Sequence, residues 1–185
     1  MPLWLWVVLA AAGVLVLVAA YGYNRLVRLR NEAGTGWANI DVQLQRRADL
    51  IPNLVEAVKG YAAHERGVLE EVTRARTALQ QASTPGSAAT ANEALTTALG
   101  RLFAVAEAYP DLKASESFLR LQEDLTDTED KISAARRYYN ATVMRFNTAV
   151  QSIPWLLLAR PLGFREREFF SAEGDIAPPE VSFAA

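Results

Sequence analysis

Apolar residues run along this chain in two patterns. From Leu3 to Tyr23 the sequence LWLWVVLAAAGVLVLVAAYGY has 21 residues without an ionisable side chain. As a helix rising about 1.5 Å per residue it reaches roughly 30 Å, the thickness of a bilayer's hydrocarbon core. Trp4, Trp6, Tyr21 and Tyr23 stand at its ends, where interfacial aromatics belong. No Lys or Arg precedes the run, and it is longer than the h-region of a usual signal peptide, so a retained anchor over 1–24 is expected rather than a cleaved leader. Arg25, Arg28 and Arg30 follow it directly, which by the positive-inside rule predicts a cytoplasmic C-terminal domain.

Beyond the anchor the apolar positions repeat with a period near 3.5 and nowhere with period two, so the expected class is all-α. Ser83-Thr84-Pro85-Gly86-Ser87 and Tyr109-Pro110-Asp111 are turn signals, and they cut the chain into predicted helices over 24–82, 88–108 and 116–152. In the last of these Phe118, Leu125, Ile132, Tyr139, Phe146 and Ile153 fall seven apart. The smaller Leu121, Thr128, Ala135, Thr142 and Ala149 follow the first five of them by three.

The first helix repeats the pattern with Trp37, Leu44, Ile51, Val58, Val72 and Leu79 against Ile40, Leu54, Tyr61, Val68, Ala75 and Ala82. A shorter seam of Leu95, Leu99, Leu102, Ala106 and Tyr109 marks the middle helix. Leu50, Val55, Ala57, Ala62 and Leu69 widen the first helix's stripe beyond a two-stranded seam. The expected domain, 25–170, is therefore a long-helix antiparallel bundle of three to four helices with heptad seams, followed by a disordered tail over 171–185. A long hairpin, with the second and third helices end to end against the first, is the alternative. Pro52 predicts a kink or break near Asp49, and Gly34-Thr35-Gly36 a pliable neck.

Two charges, Arg47 and Glu65, interrupt the buried stripe. An unpaired buried charge is costly, so each is expected to meet an opposite charge on a neighbouring helix, with Glu129 and Arg136 as candidates.

The residues also resemble a known family. Trp37-Ala-Asn-Ile-Asp-Val-Gln-Leu44, Arg46-Arg47, Asp49-Leu-Ile-Pro-Asn-Leu-Val-Glu56 and Val58-Lys-Gly-Tyr-Ala-Ala-His-Glu65 look like the hallmark block of the LemA family. A second block matches in the same order: Tyr109-Pro-Asp-Leu-Lys-Ala114, Phe118, Leu121-Gln122, Thr128-Glu129, Ala135-Arg136, Tyr139-Asn140 and Gly163-Phe164. The resemblance covers Tyr23 to Phe170; Gly34 and Gly36 stand where helix formers would be easier to explain, and Pro161 interrupts the segment before Gly163-Phe164. It implies a bacterial single-pass protein of the inner membrane carrying a long-helix bundle. It implies little chemistry: members are associated with membrane location and, in some cases, with organisation of a membrane organelle.

Composition narrows the chemistry further. With no cysteine and one histidine the chain has no thiolate metal cluster, disulfide or cysteine nucleophile. His64-Glu65 has Val68 where a zincin would place its second histidine, and Tyr61 where a di-iron Glu-x-x-His would place its glutamate. Nineteen basic against 21 acidic residues leave no excess for a nucleic-acid partner. The acidic run Glu123, Asp124, Asp127, Glu129 and Asp130 reads as a solvated face rather than a cation site, and no cofactor is expected. Asn140-Ala141-Thr142 is a chance sequon.

What remains is surface. Arg46, Arg47, Asp49, Asn53, Glu56, His64, Glu65, Glu129, Arg136 and Asn140 are the polar residues expected to hold the helices in register or to meet a protein partner, His64 as a partly exposed flank residue. Trp155, Leu156, Leu158, Leu162 and Phe164, flanked by arginines, are expected at a membrane or partner contact, or as a cap on the bundle. The expected function is a non-enzymatic, membrane-anchored scaffold or adaptor, with self-association open; the alternative is a lipid-binding or membrane-shaping protein.

Overall fold

The computed structural model describes residues 2–62 and 64–172. They form six helices: α1 (Leu3–Lys59), α2 (Arg66–Gln81), α3 (Pro85–Ala106), α4 (Pro110–Lys113), α5 (Glu116–Gln151) and α6 (Trp155–Ala159). No strand occurs among the described residues. All but the first two residues of the expected tail lie outside them.

The breaks at Ser83–Ser87 and Tyr109–Asp111 fall where the turn signals placed them, and each start has a local cause. At α3 the Thr84 side chain accepts from the Ser87 N–H at 3.2 Å, the Ser87 hydroxyl accepts from the Thr84 N–H at 3.1 Å, and Pro85 fills the first turn, where its missing N–H costs nothing.

Two expectations about the first helix are corrected. The predicted 24–82 helix ends at Lys59 and restarts at Arg66. Gly60 closes the first segment, with the N–H groups of Tyr61 and Ala62 both bonded to the Val58 carbonyl at 3.0 and 2.8 Å. α2 buries Leu69, Val72, Ala75 and Leu79, all on the predicted stripe, but Val68 is only half-buried and Tyr61 is exposed. Pro52, by contrast, breaks nothing: α1 runs through it. The carbonyl it strands, that of Ala48, accepts a hydrogen bond from Arg76 Nε at 2.8 Å instead.

At Gly34-Thr35-Gly36, the expected neck, α1 is continuous and Gly36 is buried. A Cβ on Gly36 would sit 3.2 Å from Tyr139 Cα and 3.4 Å from both neighbouring tyrosine rings. The glycine admits the backbone of α5.

The chain divides into two compact units, and the divisions fall within α1 and α5. The first unit contains the described residues through Gly36 together with Tyr138–Arg167. Its core is Leu26 of α1, Phe146, Ala149 and Val150 of α5, Ala159 of α6, and Phe164. The second unit contains Trp37–Arg137 and the described chain from Glu168. There Ile40, Leu44, Ile51, Leu54 and Val58 of α1 are buried, as are Leu95, Leu99 and Leu102 of α3 and Phe118, Leu125 and Ile132 of α5. Phe103 meets Phe118 edge to face with centroids 6.0 Å apart. The α5 seam is buried as its sevenfold spacing predicts through Phe146, but Ile153, beyond the helix end, is 81% exposed.

Candidate functional site

In the second unit the polar residues gather around Arg47. Its side chain is 4% exposed, and its Nη1 donates to Asn92 Oδ1 of α3 at 2.5 Å while meeting Glu129 Oε2 of α5 at 2.5 Å. Three helices therefore lie side by side at this level, a folded-back arrangement rather than α3 and α5 end to end. Burial pushes the guanidinium pKa down and the Glu129 carboxylate pushes it back up, burial being the larger effect. Glu129, Asn92, Glu93, Thr96 and Arg136 line a cavity of about 190 Å³.

The opposite charge expected for Arg47 is thus Glu129, as anticipated, but Arg136 is exposed and does not serve Glu65. Glu65 lies in the link before α2, off any helix, and accepts a hydrogen bond from the Tyr109 hydroxyl at 3.2 Å. That contact, after burial, raises the Tyr109 pKa. His64 is exposed in the same link.

Arg46 turns outward, 4.0 Å from Asp124 and 3.8 Å from Asp127. Asp127 also accepts from Lys131 at 2.7 Å, which holds its carboxyl below the usual range. The acidic run is therefore divided, with Asp124 and Asp127 beside cations at the surface and Glu129 directed to Arg47. Among the described residues no group of three or more acids and histidines is placed to hold a metal ion.

Val42, Arg46, Asp49, Asn53 and Glu56 are spaced by four and three along α1 and all are exposed, so they share one face of the helix. Asp49 accepts from Gln45 at 2.9 Å and Glu56 from Lys59 at 3.0 Å, contacts within the helix, whereas Arg46 reaches across to α5. Asn140 is half-buried in the first unit, apart from this group.

The first unit holds the second candidate surface. After α5 the chain turns at a cis Ile153–Pro154 bond into α6. Trp155 lies on the end of the apolar run: its ring is 5.9 Å from that of Tyr21, and a Cβ on Gly22 would fall inside it. Phe164 N–H then bonds to the Ala159 carbonyl at 2.9 Å and Gly163 N–H to Arg160 at 3.1 Å, a Schellman closure. It needs the left-handed φ of 77° that Gly163 supplies.

The closure turns Phe164 into the core. Its ring meets Tyr23 and Phe146, with centroids 5.9 and 6.5 Å away, and the Arg30 guanidinium lies 5.3 Å above it. The side chain of Asn147 completes the return, donating to the Arg167 carbonyl at 2.9 Å and accepting from the Arg167 N–H at 2.8 Å. Leu156 is half-buried, Leu162 is exposed, and the Leu158 side chain lies outside the described residues.

Sequence reasoning missed Asn92, Arg76, Asn147 and Gly22. Asn92 had a signal, lying three residues before Leu95 on the predicted seam of its helix; the other three act through main-chain or ring contacts that periodicity does not register.

Known proteins resemble this chain in sequence. The chain is 28% identical over 174 residues to magnetosome protein MamQ of Magnetospirillum gryphiswaldense, covering 80% of this chain and 64% of that one. Magnetosome protein MamQ 2 of Paramagnetospirillum magneticum matches with the same identity and coverage, so the chain spans a little under two thirds of the length of these relatives. Protein LemA of Metamycoplasma hominis is 26% identical over 164 residues, 86% of this chain and 74% of its own. The LemA family model matches residues 36–183, most of the chain, and on that match the chain belongs to the LemA family.

Proposed function

We propose that this protein is a non-enzymatic helical scaffold, anchored in the bacterial inner membrane by the apolar start of α1, that holds a partner protein at the cytoplasmic face. The observation that carries the reading is the composition of one helix. α1 begins with an exposed apolar stretch of mean hydropathy 2.6 and ends with the exposed stripe of Arg46, Asp49, Asn53 and Glu56. One element thus combines a lipid-compatible surface with a specific polar face drawn from the family's hallmark block. The cytoplasmic orientation rests on Arg25, Arg28 and Arg30.

Two measurements test this. A photo-crosslinking amino acid at Asn53 in native membranes should capture a discrete partner, and none is expected from exposed Thr97 of α3. Recovery of no partner from Asn53 counts against the scaffold. A single thiol in this cysteine-free chain, Ala104→Cys, should react with an impermeant maleimide only after permeabilisation. Labelling of intact cells reverses the orientation. A second reading, lipid binding at the membrane surface, is favoured by the position of Trp155 against Tyr21 and Gly22.

A further inference from the structure

We infer that the Ile153–Phe164 segment docks on the membrane leaflet from which α1 emerges, and that the arginines around it bind anionic lipid headgroups. The inference rests on the anchor reading above and adds a second membrane contact to it.

Depth is the first argument. Trp155 is held on Tyr21 and Gly22, and Phe164 on Tyr23, so the segment is fixed to the last residues of the uncharged run. If that run spans the bilayer, the segment lies at the interface.

The second argument is what the segment exposes at that depth. Ile153 is 81% exposed, Leu157 72% and Leu162 49%, while Trp155 is half-buried and Phe164 buried. A lone exposed leucine needs no explanation, but three large aliphatic side chains exposed within ten residues, on a segment held against the end of a bare apolar helix, are what an interfacial segment presents. Attachment to the end of the span favours lipid over a groove on another protein.

Charge is the third. The chain as a whole carries a net charge of −2, yet residues 21–32 and 153–167 hold six arginines and two glutamates. Arg25, Arg28, Arg160 and Arg165 are exposed, and Glu32 lies 4.0 Å from Arg145. Apolar residues that enter the acyl boundary, ringed by arginines at headgroup level, are the composition of an interfacial anchor for an anionic leaflet.

The test uses the full chain in lipid nanodiscs, with one environment-sensitive fluorophore on an introduced thiol: Leu157→Cys, Leu15→Cys within the span, or Thr126→Cys on the exposed face of α5. Headgroup-level nitroxide lipids should quench the Leu157→Cys probe several-fold more than the Thr126→Cys probe. That quenching should rise when phosphatidylglycerol replaces part of the phosphatidylcholine, and lose the rise in an Arg160→Gln/Arg165→Gln variant. If deep nitroxides quench the Leu15→Cys probe while the Leu157→Cys probe matches Thr126→Cys, docking is overturned and the anchor stands. If neither the Leu15→Cys nor the Leu157→Cys probe is quenched, the anchor fails and docking with it. Quenching at Leu157→Cys that ignores phosphatidylglycerol overturns the headgroup assignment.

Discussion

Arg76 donates its Nε–H to the carbonyl of Ala48 at 2.8 Å, and Ala48 is the residue four before Pro52. In an uninterrupted helix that carbonyl accepts from the residue at position 52; proline has no N–H to give. A guanidinium on α2 thus stands in for the bond that α1 lacks. Arg76→Met should destabilise the protein by about 1–3 kcal/mol, the cost of stranding a buried acceptor. In a Pro52→Ala background most of that cost should vanish, because the alanine N–H then fills the carbonyl. Urea unfolding of the four members of the cycle reads the coupling, and equal cost in both backgrounds would rule the relationship out.

Arg47 and Glu129 form an unequal pair, one side chain 4% exposed and the other 41%. Removing the carboxylate leaves a buried cation beside Asn92, whereas replacing the arginine by a long apolar residue leaves a carboxylate whose Oε2 is buried but whose side chain is 41% exposed, so that it can turn toward water. Glu129→Ala should therefore cost about 1–3 kcal/mol, less than a fully buried pair because solvent screens it, and Arg47→Met less again. The reverse order in thermal melts would show that the charge on Arg47 is not what Glu129 balances.

Alanine is the better helix former by about 1 kcal/mol, so two glycines should respond with opposite signs. At Gly100, where a Cβ meets nothing within 4 Å, Gly100→Ala should stabilise. At Gly36 the new methyl meets the Tyr139 backbone at 3.2 Å, and Gly36→Ala should destabilise by about 1–2 kcal/mol despite the gain in propensity. Melting temperatures that rise for both would return Gly36 to the role of a flexible joint.

Tyr109 should titrate above the ordinary tyrosine value of about 10, raised by burial and by its bond to Glu65. A raised pKa in the folded state means that the contact stabilises fully below the unfolded value and is lost as pH climbs through the folded one. Stability should fall at alkaline pH, and Glu65→Gln, which removes the carboxylate charge, should lower the pKa. Carbon NMR of labelled tyrosine, assigned with Tyr109→Phe, follows it directly; an unmoved Tyr109 resonance in Glu65→Gln contradicts the link.

Local signals in the sequence proved the most legible. α3 and α5 begin and end within a few residues of 88–108 and 116–152, since proline, glycine and serine set those boundaries through their own backbone chemistry. The partner of Arg47 was also readable, because a charge on a buried stripe demands an opposite one. The turn after Lys59 was not, as the heptad count continues across it with Val72 and Leu79 still in phase. Glu65 was misplaced for the same reason, being counted on a helix that had already ended. At Gly36 propensity argued for slack where the neighbouring backbone imposes contact, and nothing in the local sequence announces which helix approaches.

Asn147 and Arg167 pair through both amide partners, the side chain of one imitating a strand's main chain toward the other. Aspartate lacks the donor for this exchange and glutamine is a methylene too long. The pair closes a circuit of twenty residues, and Ile153, Leu157 and Leu162 all lie on it. A circuit fastened at both ends has already given up its loop-closure entropy in the folded protein. Its aliphatic residues are thus presented without further ordering, and whatever surface they meet finds them preorganised.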